Sequence, residues 1–174
     1  MKRIVTATVN NHPGVLNRIT GLFTRRDYNI ESITVGVTEN PSISRMTFIV
    51  HVEDEARAEQ LTKQLNKQID VIKVQDITDQ PRIERELALI KVISNPQTRN
   101  ELMGIINPFR ASIVDVSRDT LVVQVTGDSQ KIEALIELIR PYGIKEIART
   151  GTTAFARGLI KSNGQENKQS AISN

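Results

Sequence analysis

The feature that most limits what this chain can fold into is a succession of strand and helix periodicities that fills its first half and returns in its second. Arg3 to Val9 alternates Ile4, Thr6 and Thr8 against Val5, Ala7 and Val9, the period of a strand. After NNHPG, the residues Val15, Leu16, Ile19, Leu22 and Phe23 recur as one helical face, and Arg25-Arg26 carries the charge that suits a helix C-terminus. Ile30 to Thr38 is rich in β-branched residues and predicts a second strand. TENPSIS (Thr38 to Ser44) supplies turn chemistry, and Met46, Phe48, Val50 and Val52 form the apolar face of a third strand. Glu53, Asp54 and Glu55 then favour a helix start, Ala58, Leu61, Leu65 and Ile69 follow at helical spacing, and Val71 to Ile77 closes the unit as a strand.

The second half repeats that order. Glu86 to Ile93 (ELALIKVI) predicts a strand, and Gln97 to Phe109 a helix with Leu102, Ile105, Ile106 and Phe109 on one side. Ala111 to Val116 and Thr120 to Thr126 read as strands joined by a tight SRD turn. Asp128 or Ser129 can cap a helix bearing Ile132, Leu135, Ile136 and Ile139, which Pro141 and Gly143 stop, and Ile144 to Arg149 is expected to be the last strand. The expected fold is therefore α+β: two tandem ferredoxin-like βαββαβ domains, each an antiparallel sheet with helices on one face. The boundaries are expected at 1–78, a linker at 79–86 around Asp79-Gln80-Pro81, a second domain at 87–158 and a polar, disordered tail at 159–174.

Composition removes several function classes. With 39% hydrophobic and 25% charged residues the chain is globular, and its apolar runs fall well short of the ~18 residues of a membrane span. MKRIVTATV runs straight into strand alternation rather than into a signal-peptide core, and cysteine is absent, so a cytoplasmic location is expected. The net charge of +3 is spread among interspersed acids and bases, with Arg25-Arg26 and the tail as the only local concentrations of positive charge. A nucleic-acid binder shows a basic face. An RNA-binding βαββαβ module also stacks bases on aromatics of its central strands, whereas here RMTFIVHV offers only Phe48, on the apolar face, and TLVVQVT offers none.

Groups able to carry catalysis are equally scarce. The chain lacks HExxH, Cys/His pairs at metal spacing, GxGxxG and the P-loop pattern. His51 alternates with the apolar face of its strand and is expected to point outward, and Glu84-Arg85-Glu86 reads as an ion-pair cluster. Neither a catalytic residue nor a metal site is predicted.

That leaves NNHPG. On one reading Asn11 or His12 is an N-cap, Pro13 a first-turn residue and Gly14 incidental. On the other, the helix N-terminus is an anion site, because its N–H groups are unpaired and lie at the positive end of the dipole. Gly14 then keeps bulk away from an approaching group, while the amide of Asn11 offers a donor and an acceptor to a zwitterion. Spacing alone leaves both open.

N-x-P-G-V-L-x-R-I-x-G-L-F, at Asn11 to Phe23, resembles the opening of an ACT domain, a small-molecule-sensing module. RRDYNIESITVGVTENPSISRMTF (Arg25 to Phe48), IERELALIKV, IVDVS at Ile113 and RTGTTAFARG (Arg149 to Gly158) together resemble the small regulatory subunit of acetolactate synthase. The resemblance covers residues 2 to 160. It implies an N-terminal ACT domain, an ACT-like second domain and no active site. The expected partner is the large subunit, which carries thiamine diphosphate, Mg and FAD; this chain would activate it and confer feedback inhibition by valine or another branched-chain amino acid. It further implies a homodimer through the ACT domains, with the effector between Asn11, His12, Pro13, Gly14 and Val15 of one chain and Asn29 and Ile30 of the other. The family commonly has glycine where this chain has Asp27, a residue that tolerates the left-handed turn required there. An amino-acid sensor serving a different enzyme or regulator is the rival within the same fold, and a nucleic-acid-binding βαββαβ protein is the remote alternative from another class.

Overall fold

The structure, a computed structural model, describes residues 1–158, so the tail expected at 159–174 lies outside the described residues. The first unit comprises β1 (Lys2–Asn10), α1 (Val15–Arg25), β2 (Asn29–Val37), β3 (Ile43–His51), α2 (Glu55–Asn66) and β4 (Val71–Asp76). The second comprises β5 (Arg82–Ile93), α3 (Arg99–Ile106), β6 (Ser112–Val116), β7 (Thr120–Gly127), α4 (Ser129–Ile139), β8 (Ile144–Arg149) and β9 (Thr153–Ala156). Strand neighbours run β2-β3-β1-β4 in the first sheet and β6-β7-β5-β8 in the second, all antiparallel, with β9 added to β5.

Alternation decides which residues meet. Val5, Ala7 and Val9 of β1 and Met46, Phe48 and Val50 of β3 point to one face, where they close a core with Ile19, Leu22 and Phe23 of α1 and Ala58, Leu61 and Leu65 of α2. The second core repeats this, with Ala88, Ile90 and Val92 against Leu102 and Ile106 of α3 and Ile132, Leu135 and Ile139 of α4. Arg3 stands at the rim of the first core, buried, with carboxylates from Glu55, Asp76 and Asp79 around its guanidinium. A buried cation survives only when paired in this way.

Four expectations change. The pattern does not end at Arg149: β9 follows it and pairs with Arg82–Arg85, the part of β5 that lies ahead of the second sheet. β5 accordingly begins at Arg82 rather than Glu86. The helix expected from Gln97 to Phe109 is α3 followed by a 3-10 turn at Asn107–Phe109. Ile69 lies beyond the end of α2 and is 88% exposed, so the helical face stops at Leu65.

The β5–β9 ribbon has a structural task that periodicity did not reveal. It covers the first sheet on the side away from its helices, where Ala154 packs with Ile4, Ile49 and Ile77. Thr152 N–H donates to Ser32 Oγ at 3.1 Å, and Thr34 Oγ1 donates to the Thr152 carbonyl at 3.1 Å. The Arg45 guanidinium sits 4.3 Å from the centroid of the Phe155 ring, and burial pulls its pKa below the ordinary value. Helices therefore cover one face of the first sheet, as expected, while a strap from the second unit covers the other. At the root of the strap Glu86, itself buried, holds Arg149 at 2.5 Å, and this bond raises the guanidinium pKa.

Candidate functional site

The loop between β1 and α1 is pinned on two sides by backbone. Asn10 N–H donates to the Asp70 carbonyl and Asn11 N–H to the Ser42 carbonyl, both at 2.8 Å. The side chain of Asn11 does not cap the helix: its Nδ2 donates to the Pro41 carbonyl at 2.8 Å. That bond orients the carboxamide and leaves Oδ1 as an acceptor. Nor does His12 cap it, since its Nε2 bonds the Asp70 carboxylate at 2.7 Å. The capping residue is Gly14, at φ 87° and ψ −11°, with no side-chain hydrogen bond to the first turn.

The positive φ explains the glycine, because an L residue in the left-handed region costs about 1–2 kcal/mol. A Cβ at Gly14 would meet nothing within 4 Å, so the space beside it is open in this chain. Val15 turns inward and is buried in the core. The result is a helix N-terminus with no side-chain cap and no acidic residue in its first turn. By contrast α2 and α4 start on Asp54 and Asp128, whose carboxylates accept from Arg57 N–H and Lys131 N–H at 2.8 Å. What α1 leaves open is a set of N–H donors at the positive end of a dipole, the chemistry that receives an anion.

Asn29 and Ile30 open β2, an edge strand, opposite His51 and Val50. Lys2 also pairs with His51, whereas Asn10 pairs with Ile43 at the far end of β3. Along a strand of this length the two ends are roughly 27 Å apart. Within one chain, then, the structure brings residues 11–15 together and leaves Asn29 and Ile30 at the other end of the sheet. Asp27 adopts φ 57°, the left-handed turn its position asks for, and Tyr28 N–H closes the end of α1 on the Phe23 carbonyl at 3.0 Å. His51 points outward and bonds Glu31 at 2.6 Å. The Glu31 carboxyl lies below its ordinary range, chiefly through its hydrogen bond from Lys2; burial opposes the shift and His51 adds to it.

Two residues of the loop corner were not anticipated from the sequence. Asp70 has a side chain only 8% exposed, and its two oxygens take His12 Nε2 and, at 2.9 Å, Arg18 Nη2. The available signal was an acidic residue set between Ile69 and Val71 in an otherwise apolar run. Among the described residues no group of acidic or histidine side chains has the arrangement of a metal site, and no helix is long and apolar enough to cross a membrane.

Comparison with known proteins agrees with this architecture half by half. The family model of the AHAS small subunit-like ACT domain matches residues 6–73, and that of the small subunit of acetolactate synthase matches residues 85–158. The acetolactate synthase small subunit of Bacillus subtilis (strain 168) is 75% identical over 158 residues, 91% of this chain and 92% of that one. A probable acetolactate synthase small subunit of Archaeoglobus fulgidus is 53% identical over 92% of this chain and 100% of its own length. The crystal structure of the acetolactate synthase small subunit from Thermotoga maritima superposes with a TM-score of 0.84 at 39% identity, covering 92% of this chain and 99% of that one. With both halves matched in order and relatives aligned over nearly their whole lengths, the chain belongs to the family of acetolactate synthase small, regulatory subunits, and its first half is their ACT domain.

Proposed function

We propose that this chain binds the thiamine-diphosphate-dependent large subunit of acetolactate synthase in the cytoplasm, raises its activity, and makes it sensitive to valine or another branched-chain amino acid. The observation that carries this reading is the open start of α1. Its N–H groups suit the effector's carboxylate, and Asn11 Oδ1, left free by the bond from Nδ2 to Pro41, suits the ammonium. An amino acid carries both charged groups on one carbon, its α-carbon.

The second wall comes from another copy. Asn29 and Ile30 cannot reach the loop of their own chain, so a pocket made of both requires a homodimer through the ACT domains. The edge strand β2 is suited to pairing, because among the described residues no strand pairs with its outer side, and Val35 and Val37 are 46% and 59% exposed. An effector that bridges two chains couples its binding to their relative geometry, with a coupling of ~1–3 kcal/mol typical of such systems.

The second domain relays that geometry to the large subunit. Supporting this is the strap: Ser32 and Thr34, on the strand that begins with Asn29 and Ile30, bond the backbone of Thr152. The test is to reconstitute the enzyme with its large subunit and titrate valine, leucine and isoleucine while following acetolactate formation. Asn11→Ala is expected to raise the half-inhibitory valine concentration by about tenfold, the loss of one charge-assisted hydrogen bond. Unchanged inhibition by valine in that variant would refute the site.

A further inference from the structure

We propose that Asp70 is the positioning residue of the effector loop, holding the start of α1 in its open form through His12 and Arg18; this rests on the loop being the effector site. The problem it addresses is mechanical. Gly14 is the most permissive residue of the corner, and α1 has no side-chain cap to fix where the helix begins. An effector that docks on first-turn N–H groups gains from finding them already in place.

Asp70 supplies the missing constraint from outside the helix. Its Oδ1 accepts from His12 Nε2 at 2.7 Å and its Oδ2 forms an ion pair with Arg18 Nη2 at 2.9 Å, so one carboxylate grips the chain on both sides of Gly14. Its own carbonyl accepts from Asn10 N–H at 2.8 Å, which ties the same turn to the end of β1. The Asp70 side chain is 8% exposed, whereas those of His12 and Arg18 are 45% and 51% exposed. A carboxylate is costly to bury, and a residue like its neighbours Ile69 and Val71 would avoid that cost. The charge is useful here because it recruits two surface side chains to one fixed point. Arg18 also offsets the negative charge of Asp70, which would otherwise oppose an anion at the α1 N-terminus.

The experiment uses reconstituted enzyme with valine as the probe, each variant normalised to its own uninhibited rate, and thermal unfolding recorded in parallel. Asp70→Asn leaves an oxygen for His12 but turns an N–H toward Arg18, donor against donor. It is expected to raise the half-inhibitory valine concentration by about tenfold. His12→Leu removes one arm and is expected to raise it by about fivefold, and His12→Gln, which keeps an N–H donor, to restore it to within about twofold. Adding His12→Leu to Asp70→Asn should cost less than it does alone, since both cut the same link. A purely structural role would instead lower the unfolding temperature without moving the half-inhibitory concentration, and that result overturns the inference. So does equal inhibition of the His12→Leu and His12→Gln enzymes, a comparison that holds even if Asp70→Asn fails to fold. If Asn11→Ala shifts inhibition while these variants do not, the positioning role falls and the effector site stands; if Asn11→Ala is also inert, the site itself falls.

Discussion

The two halves of the chain use one strand order, since β2-β3-β1-β4 and β6-β7-β5-β8 place corresponding strands in corresponding positions, yet the turns ahead of their first helices are built differently. Ahead of α3, Asn95 turns its Oδ1 back to accept from Gln97 N–H at 3.0 Å and Thr98 N–H at 2.8 Å. Ahead of α1, Asn11 turns away to Pro41 and Gly14 stands uncapped. Neither helix has a side-chain cap, but α3 carries the acidic Glu101 in its first turn and α1 carries no acid there. One strand order thus carries two different helix starts, and the proposed effector site uses only the one without an acid in its first turn.

The largest expected effect breaks the link between the halves rather than either half. Gly151 has φ 83°, and a Cβ there would collide with Ser32 Oγ. Gly151→Ala is expected to cost about 2–3 kcal/mol from left-handed strain and overpacking, read as a lowered midpoint in denaturant. Adding Ser32→Ala should remove the clash but leave the strain and unpair Thr152 N–H, so the midpoint is expected to recover only in part.

Next comes the contrast between the two helix starts. Gly14→Ala meets open space, so strain alone should cost about 1–2 kcal/mol in stability, together with weaker valine inhibition. Asn95→Ala should cost about 1 kcal/mol, as loss of a cap-like bond does, and leave the half-inhibitory valine concentration where it was. If the two substitutions altered inhibition equally, the functional difference between the halves would be wrong.

The smallest effect concerns the cluster of Lys2, Glu31 and His51, beside the start of β2. Glu31 is depressed in the folded state, so its contribution is present above the ordinary carboxylate range and lost as pH falls through its lowered pKa. Its side chain is 40% exposed, and water screening keeps that contribution under about 1 kcal/mol. Glu31→Gln should flatten the acid limb of the stability curve by that amount and leave neutral-pH inhibition alone.

Much of this was legible in the sequence because it is local. The alternation of Val5, Ala7 and Val9 and the helical spacing of Ile19, Leu22 and Phe23 each specify which side of an element is apolar, and the structure buries those sides. β9 escaped because TAFA is too short to display a period and has no helix to define its inner face. Asp70 escaped because its partner His12 is 58 residues away, so no spacing rule connects them. Spacing left open whether Asn11 or His12 caps the helix, since both residue types can, and only the positions of Pro41 and Asp70 show that their side chains are drawn elsewhere.

By itself, then, the sequence determined the strand and helix order, the two cores, the family and the loop from Asn11 to Val15, all of which follow from periodicity and contiguous motif. Only the tertiary structure decided that α1 starts uncapped on Gly14, that Asp70 grips both sides of it, and that Asn29 lies a full strand length from the loop it is expected to serve. The physical reason is reach. A side chain's hydrogen bond is chosen by whichever acceptor or donor the fold carries to within 3 Å of it, and that choice is made by residues far away in the chain.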